Sequence, residues 1–374
     1  MTTQICLVSD QAAANLLPAL DPALKPDQVI LLVSAKMLPR AEALAGVLRE
    51  AGVQVRQVAL DDEHNYLNLQ NAMLDIVDQL TDQRVMLNIT GGTKLMALAA
   101  QSVAIEADWE IFYVDADTGE AIWLSDPSRR HPLEQHLRLR HYLGGYGFSI
   151  AAGMQQPSAN PRHQDLIRTL VVQVGSMTTA LSQLNWLAQQ TESRGALRIK
   201  MDERQRDSRS LETLLRNFED AGVLAVESGQ ITFAGEAERR FVKGGWLEEH
   251  VFSTLARNAG ALHVRDKACN LEVIDSSNVK NELDAVFLAR NRLHIIECKT
   301  ARMDQPEAPK ANDTLFKLAE ISRRIGGLAS RGMLISYRPL GKAEKQLASA
   351  LRIELVCAGE LVNLDQRMHD WIGP

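Results

Sequence analysis

The N-terminal third alternates five short apolar, partly β-branched runs (4–8, 29–33, 53–60, 85–89 and 111–114) with stretches of helical periodicity. That alternation narrows the fold more than any other feature of the chain. In the third connecting stretch Leu69, Met73, Ile76, Val77 and Leu80 share one helix face, and in the fourth Leu95, Leu98, Ala99 and Ser102 do. Strand-then-helix units with short connections close into a mostly parallel sheet covered by helices on both faces. The α/β, Rossmann-like unit is expected to occupy residues 1–150.

The fourth run leads straight into Asn88-Ile89-Thr90-Gly91-Gly92-Thr93-Lys94 and then a helix. Ligands of open α/β sheets sit beyond the carboxyl ends of the strands, at the switch point. Glycines there let backbone N–H groups approach a ligand, and a helix N-terminus favours an anion. Thr90, Thr93 and Lys94 add hydroxyl and ammonium donors beside Gly91 and Gly92. The first strand ends at Ser9-Asp10-Gln11 on the same edge, and Lys36 follows the second strand. Asp10 suits a ribose or base contact, or a helix cap, better than a phosphate. The loop is neither GxxxxGK[ST] nor GxGxxG. Its plainer reading is a tight strand-to-helix turn with a threonine N-cap.

Residues 151–160 are polar, Pro-bearing and aperiodic, as suits a linker. Helices near 163–174, 179–190 and 209–221, then a ribbon of 223–226 and 230–233, give a winged-helix-like connector over 161–240. Within it, 194–209 holds six basic residues (Arg194, Arg198, Lys200, Arg204, Arg206, Arg209) against three acidic ones. Either this approaches a phosphate backbone or it is a solvated loop and spacer, the reading preferred here.

The last unit, 241–374, carries the sharpest constellation: Asn281-Glu282-Leu283-Asp284, then His294-Ile295-Ile296-Glu297-Cys298-Lys299. In a strand, Glu297 and Lys299 point to one face and Cys298 to the other. A tight turn centred between Arg290 and Asn291 would set Asp284 opposite Glu297, their β-carbons about 4.5–5.5 Å apart. An odd loop would shift the register and put Asp284 on the wrong face. Two carboxylates that close repel, and a divalent cation removes the conflict. A third carboxylate and waters would complete a hard-oxygen site suited to magnesium or manganese. Lys299 could orient the attacking water or offset charge at phosphorus.

An acidic residue, a hairpin turn and E-x-K resemble the PD-(D/E)XK nuclease superfamily, with Leu283-Asp284 in place of Pro-Asp. That superfamily adds a glutamate on the preceding helix. Glu248 and Glu249, in a helix over 246–257, are the candidates, Glu248 preferred as catalytic and metal-binding residue with Asp284 and Glu297. The T-G-G-T-K loop, the winged-helix pattern and the E-C-K-T strand together resemble CRISPR-associated Rossmann-fold (CARF) effectors with a C-terminal PD-(D/E)XK nuclease. The resemblance implies a CARF domain, a winged-helix-like middle segment and a restriction-endonuclease-like α/β domain. It further implies a homodimer that binds a cyclic oligoadenylate, usually cyclic tetra-adenylate, through Ser9, Asp10, Gln11 and 90–94. Binding would switch on metal-dependent cleavage of single-stranded RNA, DNA or both in type III CRISPR antiviral defence, with Asp284 and Glu297 holding metal and Lys299 serving the chemistry. Two other readings stay open: an activator-independent restriction- or repair-type DNA endonuclease, and a ligand-sensing winged-helix transcription regulator.

The net charge of −6 excludes a uniformly basic nucleic-acid binder, so any such contact must be a local surface. Four scattered cysteines without zinc-like spacing read as free thiols, and no apolar run could span a bilayer, so a cytoplasmic protein is expected. His131, His136 and His141 fit neither one helix face nor a zinc site and read as surface residues. Lys317, Arg323 and Arg324 could line a groove or simply be solvated.

Overall fold

The computed structural model describes residues 1–81, 83–134, 137–153, 160–300 and 311–373. His136 and most of the expected linker lie outside them. Strands β1 (Thr2–Leu7), β2 (Gln28–Ser34), β3 (Gln54–Leu60), β4 (Arg84–Asn88) and β5 (Glu110–Asp115) alternate with helices α1 (Ala13–Leu20), α2 (Leu38–Glu50), α3 (Tyr66–Gln79) and α4 (Lys94–Glu106). The strands lie parallel in the order β3-β2-β1-β4-β5, with the switch point between β1 and β4. Two short antiparallel strands, β6 (Glu120–Trp123) and β7 (Arg130–Pro132), extend the β5 edge.

Helices cover both faces at the centre of this sheet, which is why β2 and β4 read as nearly continuous apolar runs. Cys6, Val29, Leu31 and Val33 pack under α1 and α2, whereas Ile5, Leu7, Ile30 and Leu32 pack under α3 and α4. On α3 the expected face is buried through Leu69, Met73 and Ile76. On α4 the expected face is only partly the buried one: Ala99 is buried and Leu95 packs against the core. Leu98 is 56% exposed, and Met96, Ala99, Ala100 and Val103 go inward, because close approach to the sheet favours small residues there.

After α5 (Leu139–Gly145), the segment expected to end the first unit and open a linker forms strand β8 (Phe148–Ala152) instead. It pairs with a strand of the C-terminal sheet. The middle region follows: α6 (Pro161–Val172), α7 (Val174–Ser193), β9 (Arg198–Lys200), α8 (Glu203–Arg206), α9 (Arg209–Asp220), β10 (Leu224–Glu227) and β11 (Gln230–Phe233). Its sheet runs β10-β11-β9, so the basic stretch contributes a strand and a helix whose N-cap is Asp202, rather than a bare loop. Helix α10 (Glu236–Arg240) and a π turn, Phe241–Gly245, lead into α11 (Trp246–Arg257).

The last sheet is built from β12 (Val264–Asp275), β13 (Lys280–Ala289), β14 (Arg292–Lys299), β15 (Arg331–Ser336) and β16 (Ile353–Cys357), with α12 (Ala311–Gly326), α13 (Lys342–Ala350) and α14 (Leu364–Ile372) around it. Its order is β16-β15-β14-β13-β12-β8. The cores do not divide as the sequence units do. Leu288, Leu293 and Ile295 of the hairpin join one buried cluster with Tyr142, Tyr146 and the α1–α2 layer of the first sheet. Phe287 and Ile296, on the opposite face, join α11 and the helices of the middle region. All four cysteines are buried and free. No helix among the described residues is long and apolar enough to cross a membrane.

Candidate active site

Arg290 and Asn291 both take positive φ (50° and 58°), the pattern of a two-residue type I′ turn. The ladder it starts pairs Ala289 with Arg292 and continues without a slip to Ala285 opposite Ile296. One step further the strands part, and the Asp284 carboxylate takes over the ladder by accepting the Cys298 N–H at 2.7 Å. The even register therefore brings Asp284 and Glu297 together. The Lys299 ammonium forms an ion pair with Glu297, while β14 is held along its length by parallel pairing with β15 through Lys299 and Ser336.

Burial, and next the charge of Glu297, push the Asp284 carboxyl well above the usual aspartate range, with Glu248 adding to the shift. Lys299 and the Cys298 N–H oppose it. Glu248 is raised as well, by burial first and by Glu282, against Arg240, the Asn270 amide and Lys299. Burial disfavours the Lys299 ammonium, but Glu297 and Asp284 outweigh it and keep that group firmly protonated. Of the two glutamates on α11, Glu248 shares this field. Glu249 instead accepts a hydrogen bond from Gln164 of α6 at 2.8 Å.

The candidate metal donors are all carboxylate oxygens, and at Asp284 the repulsion from Glu297 outweighs the attraction of Lys299. That chemistry fits a hard divalent cation. No ready-made cage of three acidic, imidazole or thiol groups exists among the described residues.

Sequence reasoning missed Asn270. Residues paired between β12 and β13 place it opposite Asp284, between the pairs Cys269–Ala285 and Leu271–Leu283. Its φ of 49° breaks the strand's periodicity, which hid it. Arg240 was missed too; it reaches Glu282 at 3.0 Å. Behind the strand end, Thr300 is buried, and its hydroxyl donates to the Lys243 carbonyl at 2.9 Å.

At the other sheet, the loops after β1 and β4 touch. A β-carbon on Gly91 would lie 2.1 Å from the Leu7 carbonyl oxygen, and one on Gly92 (φ 72°) 2.8 Å from the Leu7 β-carbon. The Thr90 hydroxyl donates to Asn88 at 2.6 Å and accepts the Val114 N–H at 2.7 Å. Thr93 is the N-cap of α4 and accepts from Met96 N–H. Both threonines thus brace the loop, leaving the glycine backbone and the exposed Lys94 at its rim. Ser9 accepts the Gln11 N–H at 3.3 Å. Asp10 does not cap α1, whose N-cap is Ala12; it lies 3.5 Å from Arg40. Lys36 pairs with Glu63 at 2.5 Å.

Other expected residues are placed differently. His131 is not simply a surface group, since its Nε2 lies 2.9 Å from the buried Asp21 carboxylate. His141 is half-buried, and burial lowers its pKa. Arg323 and Arg324 are engaged by Glu320 and Asp275, whereas Lys317 is exposed.

Residues 3–142 match the family model of the Card1 CARF domain, and residues 235–373 that of the Card1-like endonuclease domain. The chain therefore carries a Card1-type CARF domain followed by a Card1-like endonuclease domain. Protein VC1899 from Vibrio cholerae shares its fold at 24% identity and a TM-score of 0.90, over 99% of this chain and 98% of that one. Can2 from Sulfobacillus thermosulfidooxidans, solved with cyclic tetra-adenylate, matches at 25% identity and a TM-score of 0.84, over 100% of both chains. A type III CRISPR defence DNA nuclease activated by cyclic oligoadenylate matches at 19% identity and a TM-score of 0.57, over 91% of this chain and 46% of that one. No curated protein matches. The endonuclease domain of this CARF enzyme implies a divalent metal.

In this CARF endonuclease the hairpin that carries Asp284 and Glu297 rests its turn on the CARF domain. The Asn291 amide donates to the Leu133 carbonyl at 3.0 Å, and Arg292 to the Ala116 carbonyl at 2.6 Å. A second tie joins the loop after β1 to the end of α12. Gln11 accepts the Leu328 N–H at 3.0 Å, and Tyr142, stacked on Tyr146, donates to the Gly326 carbonyl.

Proposed function

We propose that this protein is a cyclic-oligoadenylate-activated endonuclease of type III CRISPR defence, with cyclic tetra-adenylate as activator and manganese or magnesium as metal. The observation that carries the reading is the double tie just described. The hairpin bearing Asp284, Glu297 and Lys299 and the loop bearing Ser9–Gln11 are both bonded across the domain boundary, so a shift at the ligand edge reaches the acidic site through packed backbone. The whole-length likeness to Can2 holding cyclic tetra-adenylate supports the choice of ligand.

In this reading the PD-(D/E)XK roles fall to Asp284, Glu297 and Glu248 as metal ligands, with Asn270 orienting Glu248. A divalent cation bound there supplies Lewis-acid polarisation of the phosphate and an activated water. Lys299, kept charged by its two carboxylate neighbours, stabilises negative charge building on the phosphate oxygens. The backbone amides of Gly91 and Gly92, the N-terminus of α4 and Lys94 receive the ligand's phosphates. The substrate is single-stranded RNA, DNA or both.

A homodimer with the ligand on its two-fold axis completes the proposal. Leu67 and Leu74 on α3 are 67% and 50% exposed, and Leu98 and Ile105 on α4 are 56% and 60% exposed. Each pair is spaced to share a helix face, a pattern that suits a self-complementary apolar contact.

Thermal unfolding tests the activator assignment. Cyclic tetra-adenylate at one hundred times its dissociation constant should stabilise the native protein by about 2.7 kcal/mol and raise Tm visibly. An unchanged Tm at saturating ligand would sink it.

A further inference from the structure

The middle region has a cleft of about 470 Å³ that lies outside both matched domains, lined by Trp186 and Gln190 of α7, Arg194, Arg198 and Lys200, among others. Trp186 is 54% exposed, while Trp123, Trp246 and Trp371 are buried. An indole left in water beside three cations needs a reason. Arg194, Arg198 and Lys200 are exposed and make no salt bridge among the described residues. The one carboxylate lining the cleft, Asp202, is occupied in capping α8. In a chain of net charge −6, a local group of uncompensated cations stands against the overall field.

The cleft is also positioned relative to the chemistry. Asn185, the residue before Trp186, has its amide 3.1 Å from the Thr300 hydroxyl, and Thr300 follows Lys299 on the catalytic strand. Trp186, Gln190 and Arg194 recur at helical spacing, a stripe of about 12 Å leading along α7 from that point. On β9, Arg198 and Lys200 alternate with Ile199, which packs inward, so both cations project from one face of the strand. An aromatic platform flanked by cations in an open groove is the arrangement that holds unpaired bases and their phosphates.

We propose that this cleft is a binding track for the single-stranded nucleic-acid substrate, Trp186 stacking on a base and Arg194, Arg198 and Lys200 contacting phosphates. The assignment rests on the endonuclease reading above and adds to it how the substrate is held. A duplex fits less well, because its bases are stacked on one another and offer no face to the indole.

The test is fluorescence anisotropy with full-length protein in EDTA, using labelled 20-mers of oligo-dT and oligo-U and a 20-base-pair DNA duplex. Trp186→Ala should weaken single-strand binding about tenfold, with Trp186→Phe restoring most of it. Arg198→Ala with Lys200→Ala should lower the slope of log affinity against log salt by roughly 1.4. Both variants should keep the wild-type Tm, since the residues are exposed. Wild-type affinity and salt slope in the combined variant would overturn the proposal, as would a loss confined to the duplex. Failure of the endonuclease reading shows separately, as absence of cleavage by the wild-type protein with metal and cyclic tetra-adenylate both present.

Discussion

Replacing Glu297 and Lys299 together by alanine is expected to reduce nucleic-acid cleavage by roughly a thousandfold or more, in manganese or in magnesium. The change removes one carboxylate of the pair that sits where β13 and β14 part, together with the ammonium that balances it. Losing a single preorganised electrostatic group at a reacting centre costs roughly two to three orders of magnitude, and here two go at once. Cleavage undiminished in this variant would rule the site out.

The same site makes an opposite prediction for stability. Asp284 has its carboxyl raised by burial, by Glu297 and by Glu248, so the folded state holds that proton more tightly than the unfolded chain does. In metal-free protein the resulting penalty is therefore absent below the ordinary aspartate pKa of about 3.9 and grows as pH rises through the folded value. Asp284→Asn should lose activity yet gain about 1 kcal/mol of stability at neutral pH in EDTA, a gain that vanishes near pH 4. Calorimetry at the two pH values reads it directly. A destabilised Asn variant at neutral pH would mean that Asp284 is held by structural bonds and not strained for function.

Gly91→Ala is the second large effect. The added methyl would lie 2.1 Å from the Leu7 carbonyl oxygen, a backbone atom in the middle of the parallel sheet, and only 3.4 Å from Ser9 Oγ. Neither Leu7 nor the loop can give that much without breaking the β1–β4 pairing or the Thr90 and Thr93 bonds. Overpacking of this kind costs about 1–3 kcal/mol. The ligand consequence should be larger than the stability one, because the two loops forming the binding edge are forced apart. The variant should lose the Tm rise and the activation produced by cyclic tetra-adenylate while keeping its metal-dependent active-site geometry. Undisturbed ligand binding would place the ligand elsewhere.

Much of this was legible in the sequence, and for identifiable reasons. The parallel strands β2 and β4 of the first sheet are buried on both faces, so each reads as a nearly continuous apolar run. The hairpin register followed from the turn, because Arg290 and Asn291 offer a two-residue loop and side-chain alternation does the rest. What was not legible depends on long-range contacts. Strand β8 is five residues long and pairs with β12 more than a hundred residues away. Polar residues interrupt β12, and Asn270 takes a left-handed conformation inside it. The buried face of α4 was read only in part, with Leu98 wrongly included, because alanines, which pack closest to the sheet, carry little periodic signal. Nor could periodicity show that Gln11 bonds to Leu328 or that Arg292 bonds to Ala116, contacts that join the two recognisable domains.

The central claim is that ligand at the CARF edge governs chemistry at Asp284, Glu297 and Lys299. Its most direct test is cleavage of single-stranded and duplex RNA and DNA in manganese, with and without cyclic tri-, tetra- and hexa-adenylate. The account predicts little cutting without ligand and strong cutting of a single-stranded substrate with cyclic tetra-adenylate. Equal cutting in the presence and absence of every cyclic oligoadenylate would contradict it.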